Sequence, residues 1–196
     1  MKTRIVARTL VLVALMLNLG VASVYAQPGR PINVRVKMTF SGNGAPSPIN
    51  LNQPNTSTGE ENVAGDGTLG PFTFRNVSAT ANTPQLSSMC SGLFFPRMAG
   101  AGVLRFQDGS LLKVTLMHAG DCIDFAAQQA HCTMTFKITG GSGRFKNAFG
   151  ILTLTETVLP VLADASKNPV FFAATEEFTG TVLGLAAQEE RQDERR

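Results

Sequence analysis

The chain has 196 residues, with 17 Lys and Arg against 14 Asp and Glu. Three of the bases, Lys2, Arg4 and Arg8, stand at the N-terminus, so the rest of the chain carries 14 of each sign and no net charge. With no Lys/Arg cluster to track phosphates, nucleic acid is excluded as a partner, and a basic membrane-surface patch is missing too.

The N-terminus has the three parts of a secretory signal. The basic residues come first, an apolar run follows over Thr9–Val24, and the small residue Ala26 closes it. The run of 16 residues is short of the roughly 20 needed to span a bilayer. Residues 1–26 are therefore expected to be cleaved, which places the mature protein in the periplasm or outside the cell. No later stretch is apolar enough to span a membrane. Residues 27–185 suit one domain with a real core, followed by a charged, solvated tail over 186–196.

The mature sequence reads as strands separated by turn residues. Ile32, Val34, Val36, Met38 and Phe40 alternate with polar neighbours, which predicts a half-buried strand. Residues 42–70 are rich in Gly, Asn, Pro, Ser and Thr and read as a long loop. Strands are then expected over Pro71–Ala79, Gly92–Pro96 and Gly102–Gln107. The Asp108-Gly109 turn leads into Leu111–His118, since Asp-Gly between apolar runs marks a hairpin. Asp121–Phe125 and Cys132–Thr139 form the next pair, and Ile151–Val158 and Val170–Leu183 complete the set. The fold class is all-β, with about eight antiparallel strands in a barrel and no long helix.

Three cysteines in an oxidising compartment make one disulfide plausible. If the turn centres near Ala127, Cys122 and Cys132 face each other, and this pair is favoured. The alternative joins Cys90 to one of them. A free Cys90 reads as a small buried hydrophobe. The three Cys and His131 lack metal-ligand spacing, so no metal and no cofactor are expected.

After the strand ending at Thr139 comes Gly140-Gly141-Ser142-Gly143-Arg144-Phe145. It is not a P-loop, because Arg-Phe stands where Lys-Ser/Thr is needed. It is not a dinucleotide fingerprint either, because Lys146 takes the third glycine's place and a strand follows. The segment, with Ala148 and Gly150 beyond it, resembles the glycine-rich turn of the allene oxide cyclase and dirigent barrels, and most closely their small exported bacterial members. The resemblance implies an eight-stranded antiparallel barrel with a largely apolar interior, and leaves a homo-oligomer open. It gives Gly140, Gly141, Gly143 and Phe145 a structural role at the barrel end. No catalytic residue of the family aligns.

The polar residues give weak signals. Glu176 shares the parity of Phe172, Ala174 and Phe178, and Glu156 that of Leu152, Leu154 and Val158, so both carboxylates are candidates for the barrel interior and for catalysis. His118, Asp121 and Asp124 lie close enough in sequence for acid–base work, although a polar strand end and turn explain them as well. Arg144, Phe136 and Phe172 are the ligand-contact candidates. Thirteen Phe, no Trp, and a lone Tyr within the leader argue against sugar binding, which leans on amphipathic aromatics. The leading expectation is a non-enzymatic exported barrel that binds a small apolar molecule or serves as a scaffold. Behind it stand an isomerase or cyclase acting on a lipid-like substrate through Glu156 or Glu176, and an interaction module built on the 42–70 loop.

Overall fold

A computed structural model describes residues 31–88, 90–166 and 168–186. The expected leader lies outside these residues, as does the tail beyond Ala186. Eight strands run in chain order: β1 Ile32–Pro46, β2 Thr56–Gly67, β3 Phe72–Ala81, β4 Leu93–Phe106, β5 Leu111–Asp124, β6 Gln129–Gly141, β7 Phe149–Ala163 and β8 Pro169–Leu185. Each pairs antiparallel with its neighbour, and β8 pairs back onto β1, closing the barrel. Closure leaves no free sheet edge. Among the described residues no helix is long and apolar enough to cross a membrane.

The clean alternation in β1 is realised as Val36, Met38 and Phe40 pointing inward. The same period holds in β6 through Met134, Phe136 and Ile138. One half of the barrel is filled solid by phenylalanines. Phe40 stacks on Phe178 at 5.0 Å, and Phe74 meets Phe178 edge-on at 5.2 Å. This end is plugged by a single 3-10 turn, Gly143–Phe145, whose Phe145 is fully buried. Gly143 has φ +59°, and a side chain there would strike Ser110. Glycine is therefore required where the chain folds across the barrel end.

Two expectations are corrected here. The 42–70 segment is not a loop: Gly42–Pro46 continues β1, and Thr56–Gly67 forms the whole of β2. Val63 is the only apolar residue of β2 fully buried, so its sequence lacks the strand signal. Pairing on both sides, with β1 and with β3, extends it nonetheless. The expected short pairs 92–96/102–107 and 111–118/121–125 are also each one long strand, β4 and β5, bent at bulges near Met98 and Met117.

The disulfide joins Cys90 to Cys122, with Cα atoms 5.5 Å apart, and Cys132 is the free, buried thiol. The favoured Cys122–Cys132 pair fails by one residue. The β5–β6 hairpin pairs Asp121 with Cys132 and Cys122 with His131. The Asp124 carboxylate accepts from the backbone N–H groups of Ala126 and Ala127 at 2.9 and 3.0 Å. With Gln128 left-handed at φ 51°, this sets a four-residue turn between Asp124 and Gln129. Shifting a register by one residue reverses the face of every side chain. Cys132 thus points into the barrel and Cys122 to the opposite face.

Candidate functional site

The end opposite the plug holds a cavity of about 500 Å³. Ala45, Pro46, Ile123, Ala130, Val158, Phe172 and Ala174 supply its apolar lining, beside the polar Ser57, Thr58, Glu60, Thr80 and Asn168. Its floor is charged: Glu61 from β2, Arg97 from β4, Asp121 from β5 and Glu156 from β7 all reach it. Glu176, on β8, pairs with Glu156, does not line the cavity and is 5% exposed.

Arg97 organises the floor, its side chain only 7% exposed. Its Nε donates to Asp121 Oδ1 at 2.7 Å. Its Nη1 donates to Glu61 Oε1 at 3.3 Å and to Ser78 Oγ at 3.2 Å. Its Nη2 reaches Glu156 Oε2 at 3.5 Å. A planar fork of donors serves several carboxylates at once, which a lysine cannot do. Burial opposes the guanidinium charge, but Asp121, Glu61, Cys132 and Glu156 together outweigh it and hold its pKa well above the usual arginine value.

One arginine does not neutralise four carboxyl groups. Burial, and then repulsion by Glu61, push the Glu156 carboxyl up to about 8. Burial, followed by Glu156 and Glu61, pushes Glu176 up to about 10. Both groups are therefore held protonated at neutral pH, because like charges so close cannot all ionise in a dry site. Burial also raises the Cys132 thiol, with Asp121 adding to it. Glu156 Oε1, both Glu176 oxygens and Asn76 Oδ1 are buried without a hydrogen-bond partner. Asn76 Nδ2 meanwhile donates to Glu61 Oε2 at 3.1 Å.

Of the residues singled out from sequence, Glu156 and Glu176 meet inside the barrel, and Phe172 lines the cavity. Phe136 does not reach it: it is fully buried in the solid half, against Phe74 and Phe178. Arg144 stands at the plugged end. It donates to the Leu69 carbonyl, pairs with Asp108 at 3.2 Å and lies over the Phe106 and Phe145 rings. All its charge is spent on closing that end. The His118–Asp121–Asp124 grouping does not assemble, because His118 is exposed, Asp121 turns inward to Arg97, and Asp124 holds the hairpin turn. His131 is exposed, with Nδ1 beside Thr157 Oγ1 at 3.3 Å.

Sequence reading missed Glu61 and Arg97. Glu61 sits in the strand taken for a loop, although it shares the parity of Val63. Arg97 sits between the two short strands that are really one, next to Pro96 and the bulge at Met98. The largely apolar interior that the resemblance implies is corrected at this end of the barrel by these two residues together with Asp121, Glu156 and Glu176.

No family model matches the chain, and no curated protein matches it. Among solved structures it is similar to the pterocarpan synthase dirigent protein GePTS1, at 12% identity and TM-score 0.44, over 85% of this chain and 96% of that one. It is also similar to the pterocarpan synthase dirigent protein PsPTS1, at 11% identity and TM-score 0.45, over 82% of this chain and 99% of that one.

Proposed function

We propose that this is an exported, non-enzymatic barrel that binds one small amphipathic molecule in its open mouth. The apolar tail of the ligand rests on the apolar lining, and a hydrogen-bond-donating head points to the floor. The observation that carries this reading is one cavity of about 500 Å³ whose lining joins apolar side chains such as Ile123, Val158 and Phe172 to the converging charges of Glu61, Arg97, Asp121 and Glu156. That volume lies within the range of small-molecule sites, which join apolar walls to a few convergent polar groups. The charged floor replaces the purely apolar ligand expected from sequence. Export is supported by the basic, apolar and small-residue succession of the leader and by the Cys90–Cys122 disulfide. The turn from Thr139 to Phe145 supports kinship with the exported bacterial members of the allene oxide cyclase and dirigent barrels.

Native mass spectrometry of the mature protein, purified without detergent, tests this reading. A reproducible added mass is expected, and it should vanish in Ala174→Trp, which fills the mouth while leaving the far half of the core intact. A bare protein that also fails to take up added fatty amines and fatty acids would sink the proposal.

A second reading makes the barrel an isomerase or cyclase with Glu156 as proton donor. It is favoured by a carboxyl held protonated on the floor. Under that reading Glu156→Gln binds the co-purified molecule but no longer converts it, whereas a pure binder shows no conversion in either form. An interaction module on residues 42–70 loses its footing, because deleting them removes β2 and opens the barrel.

A further inference from the structure

We propose that Glu61, Glu156 and Glu176, together with the Asn76 side-chain oxygen, form a binding site for one hard divalent cation, calcium foremost, at the floor of the cavity.

Carboxylate oxygens of the three glutamates lie within 4.8 Å of one another. Calcium takes six to eight oxygens at about 2.3–2.6 Å, so oxygens on opposite sides of the ion stand roughly 4.6–5.2 Å apart. The cluster therefore has the dimensions of one coordination sphere, somewhat contracted. Acidic clusters of this size also occur without any ion, and proximity alone does not decide the matter.

The second observation is the set of buried polar atoms left over. Both Glu176 oxygens, Glu156 Oε1 and Asn76 Oδ1 have no hydrogen-bond partner. Their residues are 5%, 4% and 1% exposed. Native interiors leave very few such atoms, and each one calls for an explanation such as an ion. Asn76 is not acidic, so its orphaned oxygen is independent of the charge cluster, and its amide nitrogen is already tied to Glu61 Oε2.

The neighbouring arginine already holds one oxygen each of Glu61 and Glu156 and makes no contact with Glu176. Arg97 engages Asp121, Glu61 Oε1 and Glu156 Oε2, which leaves Glu156 Oε1 and both oxygens of Glu176 to the ion. The donors are carboxylate and amide oxygens alone, and that selects calcium, magnesium or manganese over softer metals. Glu61 and Glu156 line the cavity, whereas Glu176, the cross-strand partner of Glu156, is buried and does not line it. Water from the cavity completes the shell.

The test uses the whole mature protein, stripped with EDTA and free of any organic ligand, so that its failure and the failure of the amphipathic-ligand reading are separate results. Manganese, which accepts the same oxygen donors, is added and followed by electron paramagnetic resonance, with calcium as competitor. One bound ion per chain, displaced by calcium, is expected, together with a calcium-dependent rise in Tm. Glu176→Gln should weaken binding about 100-fold, since changes in outer-shell partners alone cost 10–100-fold. Glu177→Gln, which alters the half-buried neighbour paired with the exposed Lys37, should bind as the parent does. Should Glu176→Gln not fold, Glu156→Gln carries the same expectation. No saturable binding up to millimolar ion, or equal binding by the Glu176 and Glu177 variants, would overturn the proposal.

Discussion

Glu156 on β7 and Glu176 on β8 are direct cross-strand partners, and both carboxyls point into the barrel. Like-charged pairs placed opposite one another normally destabilise a sheet. Here burial adds to the repulsion, and each group keeps its proton far above the pH at which an exposed glutamate would lose it.

This pair gives the metal-free protein a defined pH dependence. Unfolded, both glutamates ionise near 4.5; folded, they ionise near 8 and 10. Between those limits the native state holds more protons than the unfolded one, so stability falls as pH rises. The contribution of these groups is complete below about pH 4.5 and is lost as pH climbs through the folded values. Each group tilts the curve by at most about 1.4 kcal/mol per pH unit. The Glu156→Gln/Glu176→Gln double variant should flatten it and be about 1–4 kcal/mol more stable than the parent at pH 8. Urea titrations in EDTA from pH 5 to 9 measure this. An unchanged slope in the double variant would show that the pair titrates normally.

Removing Arg97 should have the opposite sign. Arg97→Met leaves Asp121 and the largely covered Glu61 without their cation, and breaking such a set costs about 3–5 kcal/mol. Arg97→Lys should restore only part of the loss, because an ammonium cannot fork to several acids at once. Urea titrations in which Arg97→Lys is no more stable than Arg97→Met would assign Arg97 a packing role instead.

The sequence made the apolar half of the barrel easy to read and the polar half hard. β1 announces itself through Val34, Val36, Met38 and Phe40 and β6 through Met134, Phe136 and Ile138, whereas β3 has only Phe72 and Phe74 before its inward series turns polar at Asn76 and Ser78. The turn at Gly140–Phe145 stands out because a chain crossing a barrel end needs glycine at a position such as Gly143. Glu156 and Glu176 were legible as inward residues because they continue an apolar stripe. β2 was not, because Glu61 and Val63 stand in it among Gly, Asn and Thr, and its strand form comes from its neighbours. Arg97 was hidden for a related reason, since the bulge at Met98 breaks the alternation that would have given its direction. The cysteine pairing turned on the length of one turn, which is set by the Asp124 side chain rather than by any hydrophobic pattern.

The disulfide yields its own test. Cys90 and Cys122 are 32 residues apart, and closing a loop of that length stabilises by roughly 3–4 kcal/mol in the chain-entropy model. Reduction, or Cys90→Ser, should lower stability by about that amount. Cys132→Ser should leave the bridge intact. Cys132 is buried with a raised thiol pKa, so it should resist iodoacetamide until the protein unfolds. Peptide mapping under non-reducing conditions reads the pairing directly, and a Cys122–Cys132 peptide would contradict the register of the β5–β6 hairpin.

At the closed end, Phe145 packs against Phe106 with ring centroids 4.7 Å apart and is fully buried. Arg144 covers both rings from outside. Truncation to Phe145→Ala removes the plug and exposes the bottom layer of the core, which should cost about 3–5 kcal/mol. Arg144→Ala keeps the plug but loses the Asp108 pair and the ring contacts, and should cost about 1–2 kcal/mol. The cavity sits at the other end, so both variants should hold the mouth ligand at parental affinity under conditions where they remain folded. Guanidinium titrations give the stability losses and native mass spectrometry gives the occupancy. If Arg144→Ala released the ligand while keeping its stability, the binding site would lie at the glycine-rich turn and not in the mouth.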